Sequence, residues 1–316
     1  MTQFNFKPTI TENELNTYLN YNLSDKIQLS KDIINHFCNT TPISQIFISS
    51  SFGKDSIVLI DLVNRLFPKI PIVYVDTGIE PPSCVELAEV YDNVTILYPK
   101  KDIEQVTHEY GYMIPQGKDK ASAIEQVRRN LHDEKYDTWR VKQMRGERKG
   151  AMWDYSDCTD ILVAPFKISD KCCYWLKKSP INSFINKTQY KYSFNGVTVE
   201  ESQHRRNAIL KNGFINKNVC SPIAHWTVND VLKYIKDNGL PLPHCYGEII
   251  EENGEYRTEL FQRNGCLCCP IGSHLESPNK FQLLREFDKE TWDYIINDLG
   301  YGKVLDFFNI PYTLDF

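Results

Sequence analysis

The stretch Gln45–Phe67, QIFISSSFGKDSIVLIDLVNRLF, decides the fold of this 316-residue chain. Its first residues are mostly apolar and predict a buried strand, while residues 55–67 repeat apolar side chains at helical spacing. The polar segment between them, with Gly53 and Lys54, leads from the strand directly into the helix. Because the unpaired N–H groups and the dipole at a helix start attract anions, this junction predicts a phosphate-binding loop.

The segments after this helix continue the alternation of strand and helix. "IPIVYVDTG" (70–78) and "VTILYP" (94–99) predict strands, and "PPSCVELAEVY" (81–91) predicts a short helix between them. Such alternation is typical of an α/β fold with a parallel sheet and helices on both faces. Right-handed crossovers place the loops that follow the strands along one sheet edge, where ligands bind. We expect two further strands in "DILVAPF" (160–166) and "YSFNGVTV" (192–199).

The sequence predicts three regions along the chain. These are a polar, partly helical lead-in (1–43), a nucleotide-binding α/β domain (44–230) and a mostly helical, cysteine-bearing C-terminal region (231–316). The best-marked helix is "TVNDVLKYIKDNG", which we expect to begin after Thr227 as N-cap and to end at Gly239.

Composition restricts the class of protein. The net charge of −5 gives no overall basic field, so a polyanion would have to bind at a local patch. No apolar run approaches the ~20 residues of a membrane span, and the N-terminus does not resemble a signal peptide. We therefore expect a soluble, cytoplasmic protein without membrane contact. In that setting, ten cysteines favour metal binding or reactive thiols over a disulfide framework.

The loop differs from a Walker A loop. That motif would have glycine at the position of Ile48 and serine or threonine at that of Asp55. The neighbouring predicted strand ends in Asp76, Thr77 and Gly78, which should lie on the same sheet edge as the loop. The plainer alternative is an ordinary strand–turn–helix junction with a solvated lysine.

Together, the loop and the strand end resemble the PP-loop superfamily of adenine-nucleotide α-hydrolases, specifically the phosphoadenosine-phosphosulfate (PAPS) reductase family. The resemblance covers residues 45–310 and implies a Rossmann-like, adenine-nucleotide α-hydrolase-like parallel sheet. It also implies that a Ser-x-Gly-Lys-Asp-Ser loop binds the pyrophosphate end of ATP and that a "VDTG" strand end lines the nucleotide pocket. Phe52 stands where this family more usually has glycine.

A second segment extends the resemblance. "GVTVEESQHRR" (196–206) is similar to a Gly-Val-Arg-x-Glu-Glu-Ser-x-x-Arg segment of sulfur-incorporating relatives, with Thr198 in place of the first arginine. Arg205, or alternatively Lys177 and Lys178, would then supply the cation near the phosphates.

The resemblance implies roles for particular residues. Lys54, Asp55 and Arg205 are expected to be catalytic, with Lys54 stabilising charge on the leaving pyrophosphate. ATP with Mg²⁺ is the expected ligand. The residues expected to bind it are Ser49, Ser51, Phe52, Gly53, Lys54, Asp55, Ser56, Asp76, Thr77, Gly78, Glu201 and Ser202.

Four cysteines have the pattern of metal ligands. Cys266 and Cys269 form a CxxC pair, which suits one corner of a tetrahedral metal or iron–sulfur site, and Cys172 and Cys173 are adjacent. The layout is similar to that of assimilatory sulfonucleotide reductases, which implies a four-iron four-sulfur cluster. A structural zinc ion and a metal-free redox pair are the alternatives.

The other cysteines have simpler expected roles. Cys38, Cys84 and Cys245 are expected to be small buried hydrophobic residues. Cys268 lies between two predicted ligands as a spare thiol, and Cys158 and Cys220 are possible substitute ligands.

Three functions remain open from the sequence. The first is cleavage of ATP to AMP and pyrophosphate to activate an acceptor for sulfur transfer, with a cysteine desulfurase or a thiol carrier as sulfur donor. The second is reduction of adenylyl sulfate or phosphoadenylyl sulfate, although the nucleophilic cysteine of those reductases has no counterpart after Cys269. The third is non-catalytic nucleotide sensing or binding. The acceptor, whether DNA, tRNA, metabolite or protein, is not determined.

A basic stretch, residues 139–149, suggests a further partner. Its cations, with Trp139 and the nearby Trp153, would suit contact with a nucleic-acid backbone and stacking on a base. A solvated face and a lid over the nucleotide are the alternatives.

Overall fold

A computed structural model describes residues 8–147 and 154–314. They form two compact units, each of which is discontinuous in sequence. Unit 1 contains the described residues of 1–76, 80–98 and 181–265, and unit 2 those of 77–79, 99–180 and 266–316. The predicted division into regions at 43/44 and 230/231 stays a prediction.

Unit 1 contains a six-stranded sheet in the order β3-β2-β1-β4-β6-β5. All neighbouring pairs are parallel except β5 and β6. A separate antiparallel hairpin joins β7 and β8. The strands are β1 (Ile46–Ser50), β2 (Ile72–Val75), β3 (Val94–Leu97), β4 (Tyr192–Asn195), β5 (Ile215–Asn216), β6 (Val219–Cys220), β7 (Ile249–Glu252) and β8 (Glu255–Thr258).

Helices cover the sheet on both sides, which confirms the predicted α/β class. The α-helices are α1 (Glu12–Leu19), α2 (Leu23–Thr40), α3 (Lys54–Leu66), α4 (Pro82–Glu89), α5 (Ile103–Tyr110), α6 (Lys118–His132), α7 (Trp139–Met144), α8 (Lys171–Cys173), α9 (Ser179–Lys187), α10 (Gln203–Asn212), α11 (Val228–Asn238), α12 (Lys280–Phe287), α13 (Lys289–Asp293) and α14 (Gly302–Phe307). Short 3-10 helices span Ile43–Gln45, Ser156–Val163, Val199–Glu201, His244–Tyr246 and Ser273–Leu275, and π-helical turns span Tyr174–Lys178 and Tyr294–Asp298.

The core lies around β1, β2 and α3. All four β2 residues are buried, as expected for a central parallel strand covered on both faces. On α3, Ile57–Ile60, Leu62 and Val63 are buried, so this helix packs with nearly its whole circumference inside unit 1. The β1–α3 junction is therefore held rigidly from both sides.

Local signals were reliable where they were strong. α11 begins after Thr227, whose side chain accepts the Asp230 N–H, and ends at Gly239 with φ of 59°. The "YSFN" strand is confirmed as β4. Residues 231–316 contain the end of α11 and the helices α12, α13 and α14, and they also contain the β7–β8 hairpin.

The strand predicted at "DILVAPF" (160–166) is wrong, since a 3-10 helix spans Ser156–Val163. The Arg128 guanidinium explains the difference, because it donates to four carbonyls of this segment. These are the carbonyls of Ile161, Leu162, Ala164 and Phe166, at 2.6–3.0 Å. Carbonyls that converge on one side chain cannot form the ladder of a sheet.

None of the helices in the described ranges is long and apolar enough to cross a membrane.

Candidate nucleotide and thiol sites

The predicted phosphate-binding loop is a tight turn between β1 and α3. Helix α3 starts at Lys54 and lacks a side-chain cap, since its N-cap residue is Gly53. The Ser56 hydroxyl, one turn into the helix, accepts the Ser51 N–H at 3.3 Å. A helix start without a cap presents N–H donors and positive dipole charge, so the loop has the form of an anion site.

Lys54 and Asp55 form a nearly buried ion pair at this helix start. Their Nζ and Oδ2 atoms lie 2.9 Å apart, and the Lys54 side chain is only 5% exposed. The second carboxylate oxygen of Asp55, Oδ1, is buried and has no hydrogen-bond partner among the described residues. An unpartnered buried carboxylate oxygen is a suitable ligand for a hard cation such as Mg²⁺.

Two residues that the sequence did not indicate close over the loop. The Tyr246 hydroxyl accepts the N–H of Lys54 at 3.2 Å and that of Asn264 at 3.0 Å. The Asn264 side chain donates to the Ser51 carbonyl at 2.7 Å. A Cβ atom on Gly53 would lie 2.2 Å from Asn264 Oδ1, so a larger residue at this position would have to displace the Asn264 amide. No local sequence signal could have found the contacts of Tyr246 and Asn264 with the loop, because these join positions about two hundred residues apart.

Phe52 takes a backbone conformation that favours glycine. Its φ is 51°, in the left-handed region that glycine adopts without steric cost. The fully buried ring packs edge-on against Tyr74 at 5.5 Å and against Tyr91 at 5.4 Å. The Ser50 hydroxyl, rather than that of Ser49, accepts the Phe52 N–H at 2.9 Å. Packing of the ring therefore compensates for the strained turn.

The second motif lies beside the loop. A Cβ atom on Gly196 would be 3.1 Å from the Asp55 carbonyl, so the end of β4 approaches the start of α3 closely. The Glu201 carboxylate pairs with the Arg205 guanidinium and accepts the Thr198 N–H at 3.4 Å. Burial, and secondarily the nearby Asp55 charge, raises the pKa of Glu201 despite Arg205. The structure thus brings two carboxylates and two cations together around the loop.

The remaining residues predicted to bind the nucleotide lie after β2 and at the start of α10. Asp76 directly follows β2, and its N–H donates to the Leu97 carbonyl at 3.0 Å. Thr77 is buried, and its hydroxyl has no hydrogen-bond partner in the described ranges. Gly78 has φ of 72°. Ser202 is the N-cap of α10, which gives it a structural role whether or not it also contacts a nucleotide.

The four predicted metal ligands all lie in unit 2. Cys172 and Cys173 occupy α8, and the Cys172 thiol hydrogen-bonds Cys173 and interacts electrostatically with Cys269. Cys266 lies on the same turn as Cys269, whose N–H donates to the Cys266 carbonyl at 3.0 Å. The fold therefore brings the two halves of the pattern, far apart in sequence, into one unit.

Cations surround these thiols. The hydrogen bond from the neighbouring thiol, with Lys118 and Lys177, lowers the pKa of Cys173 to about 6. Lys280 donates to the Cys266 carbonyl at 3.0 Å. Lys177 lies four residues after Cys173, whereas Lys118 and Lys280 are distant in sequence and were not predicted.

The donor set fits a metal centre in its chemistry, since thiolates are the ligands of iron–sulfur clusters and of structural zinc. However, within residues 8–147 and 154–314, no group of three or more His, Cys, Asp or Glu side chains is arranged to hold a metal ion. Cys268 is buried and hydrogen-bonds Tyr301, and its thiol also interacts electrostatically with Cys172, Cys266 and Cys269. The metal centre stays a proposal.

The other cysteines are buried. Cys38 and Cys220 lie near each other in unit 1, and Cys158 contacts the neighbouring aspartate in unit 2. Cys84 and Cys245 are buried as expected, but their thiols hydrogen-bond each other.

The basic stretch is partly described. Three of its cations contact neighbours: Arg140 with Gln143 at 2.8 Å, Lys142 with Asp137 at 2.9 Å, and Arg145 with Glu147 at 3.7 Å. The Arg140 guanidinium also lies 4.6 Å from the Trp139 ring centroid. Arg148, Lys149 and Trp153 lie outside the described residues. Nucleic-acid binding through residues 139–149 stays a prediction.

Comparison with known proteins gives consistent results. A family model described as "Phosphoadenosine phosphosulfate reductase domain" matches residues 45–271. The chain is 27% identical over 233 residues to adenosine 5′-phosphosulfate reductase of Oceanobacillus iheyensis, covering 72% of this chain and 71% of that protein. It is 25% identical over 233 residues to the enzyme of that name from Staphylococcus epidermidis, covering 72% and 70%. A solved PAPS reductase from Candida auris, in a phosphate complex, shares 12% identity at a TM-score of 0.39, covering 75% of this chain and 91% of that one.

Proposed function

We propose that this chain, which belongs to the phosphoadenosine phosphosulfate reductase domain family, is an enzyme that acts on ATP. It would bind ATP at the β1–α3 loop and cleave it to AMP and pyrophosphate. The observation that carries the proposal is the start of α3, whose N-cap residue Gly53 has no side chain and where Lys54 is buried beside Asp55. A buried lysine at a helix start suits the multiply charged pyrophosphate end of ATP.

The loop residues would act on the leaving group. An acceptor nucleophile attacks the α-phosphorus, the bond from that phosphorus to the bridging oxygen breaks, and pyrophosphate leaves with the electron pair. The Lys54 ammonium and the N–H groups at the start of α3 stabilise the negative charge that develops on pyrophosphate. The acceptor is thereby adenylated, and a sulfur nucleophile then displaces AMP from it.

Binding of phosphates at the loop requires a local rearrangement. Lys54 leaves Asp55 for the phosphate oxygens, and the Tyr246 hydroxyl gives up the Lys54 N–H. Asp55, with the nearby Glu201, would hold a Mg²⁺ ion, which supplies charge neutralisation at the phosphates.

The thiols of Cys172, Cys173, Cys266 and Cys269 would hold an iron–sulfur cluster, the cysteine-bound centre that we favour over zinc. Such a cluster supplies a charged, redox-capable centre to unit 2. A cysteine desulfurase or another thiol carrier remains the proposed sulfur donor.

Metal analysis tests this centre. Strictly anaerobic purification should yield protein with iron and acid-labile sulfide in stoichiometric amounts, and Cys173→Ser should lose both. Cys158→Ser is the matched control, because Cys158 lies in the same unit but contacts Asp157 instead. Stoichiometric zinc without iron would contradict the cluster, and metal-free wild-type protein would contradict any metal centre.

A second candidate function is reduction of adenylyl sulfate, which the names of the similar bacterial enzymes favour. The two reactions differ in their products, since reduction releases sulfite in a thiol-dependent step and ATP cleavage releases pyrophosphate. One protein preparation can therefore decide between them.

The deciding experiment runs both assays on the same anaerobic sample. We expect slow, Mg²⁺-dependent production of AMP and pyrophosphate from ATP and no sulfite from adenylyl sulfate or phosphoadenylyl sulfate with thioredoxin or glutathione. Robust sulfite release without ATP cleavage would reverse the assignment. ATP binding by calorimetry without either product would support a nucleotide-binding protein that has no turnover.

A further inference from the structure

We propose that Cys84 and Cys245 form a reversible disulfide that holds Tyr246 on the β1–α3 loop and thereby weakens nucleotide binding. The link to nucleotide binding rests on the proposed function, whereas formation of the disulfide does not.

The two thiols are positioned for a bond. Both cysteines are fully buried in unit 1, and their thiols hydrogen-bond each other although the residues are far apart in sequence. Cys84 lies in the first turn of α4, and Cys245 lies in the 3-10 helix His244–Tyr246. The Cys245 N–H donates to the Ser83 hydroxyl at 3.2 Å, so the segments that carry the two cysteines are in contact. Neighbouring thiols on two contacting segments are the arrangement from which a disulfide can form.

Each cysteine neighbours a residue that covers the loop, Cys245 along the chain and Cys84 through a hydrogen bond. Tyr246, next to Cys245 in the chain, accepts the Lys54 N–H through its hydroxyl. The Asn264 side-chain nitrogen, Nδ2, donates to the Ser51 carbonyl at 2.7 Å and to the Cys84 sulfur at 3.7 Å. The thiol pair is therefore next to Tyr246, whose hydroxyl a phosphate group must displace, and in contact with Asn264.

A disulfide would oppose that displacement. A phosphate at the start of α3 needs the Lys54 N–H, and the Tyr246 hydroxyl must leave it first. With Cys245 free, the short helix that carries Tyr246 can shift, whereas a covalent bond to Cys84 ties this helix to α4. The oxidised protein should therefore bind nucleotide more weakly. By linkage, nucleotide should then disfavour the disulfide by the same factor.

The chemistry is thiol–disulfide exchange with a small disulfide as oxidant. When the short helix His244–Tyr246 shifts and exposes Cys245, its thiolate attacks one sulfur of that disulfide and releases one equivalent of small thiol. The Cys84 thiolate then attacks the Cys245 sulfur of the mixed disulfide and releases the second equivalent. The two protons of the protein thiols pass to the two released thiolates, so two protein thiols are oxidised while one small disulfide is reduced to two thiols.

The test equilibrates the anaerobic protein with bis(2-hydroxyethyl) disulfide and 2-mercaptoethanol at defined ratios. Peptide mapping after alkylation should show a Cys84–Cys245 disulfide, and calorimetry should show ATP affinity lowered about tenfold or more in the oxidised form. Excess ATP should shift the disulfide towards the reduced thiols at a given ratio.

Cys245→Ser should abolish both the disulfide and the redox dependence of ATP affinity. Cys38→Ala is the matched control, because Cys38 is also buried in unit 1 but interacts with Cys220, and it should retain both. Absence of the disulfide at the most oxidising ratio would overturn the proposal. Disulfide formation with unchanged ATP affinity would overturn the link to the loop. If the reduced protein binds no ATP, the proposed function fails together with this link, while peptide mapping still decides whether the disulfide forms.

Discussion

Replacing Lys54 by alanine is expected to lower ATP cleavage by about two to three orders of magnitude, the range seen when one charge-stabilising donor is removed. Lys54 is the first residue of α3, and its ammonium is nearly buried, so no water can easily replace it beside the leaving pyrophosphate. The measurement is the initial rate of pyrophosphate release at saturating ATP and Mg²⁺. Circular dichroism of the variant establishes that the fold is retained.

Lys69→Ala is the matched control, because Lys69 is an exposed lysine shortly after α3, and its rate should equal that of the wild type. Asp55→Asn should instead raise the Mg²⁺ concentration needed for half-maximal rate, since it removes the charge of the carboxylate beside Lys54. An unchanged rate in Lys54→Ala would remove the assignment of the loop as the reacting site.

Phe52→Ala is expected to destabilise the protein by about 3–5 kcal/mol, because it removes a fully buried aromatic ring. Phe52→Gly removes the same ring but relieves the left-handed backbone at φ of 51°. The glycine variant should therefore be about 1 kcal/mol more stable than the alanine variant. Urea unfolding followed by intrinsic fluorescence gives the free energy of unfolding, which we expect to decrease from the wild type to the glycine variant and then to the alanine variant.

The two substitutions are controls for each other, since both delete the contacts with Tyr74 and Tyr91 and differ only in backbone freedom. An alanine variant as stable as the glycine variant would show that the turn is not strained. A glycine variant as stable as the wild type would show that the packing of the ring contributes little.

Strong local patterns in the sequence were sufficient for the main elements. The apolar run before Ser51 and the helical spacing after Gly53 predicted β1, α3 and the loop between them, and the structure shows all three. α11 was predicted together with its cap at Thr227 and its end at Gly239. These signals act between residues only a few positions apart, so a single sequence contains them in full.

Where the local sequence pattern was weak, contacts with distant side chains determined the structure. The apolar segment "DILVAPF" has the composition of a strand, but Arg128, on α6, binds its carbonyls. Residues with high β-propensity favour a half-buried sheet surface. Whether such a short segment becomes a strand depends on whether the tertiary structure places a neighbouring strand beside it.

The sequence by itself determined which chemical groups this protein has: the loop with Lys54, the carboxylates that follow it, and the cysteine pairs whose spacing suggests a metal centre. The tertiary structure alone decided what these groups contact. It brought Tyr246 and Asn264 onto the loop and placed Cys84 against Cys245. The physical reason is that capping and periodicity act along a few residues of chain, whereas these contacts depend on how the strands cross over and which distant segments then share a surface.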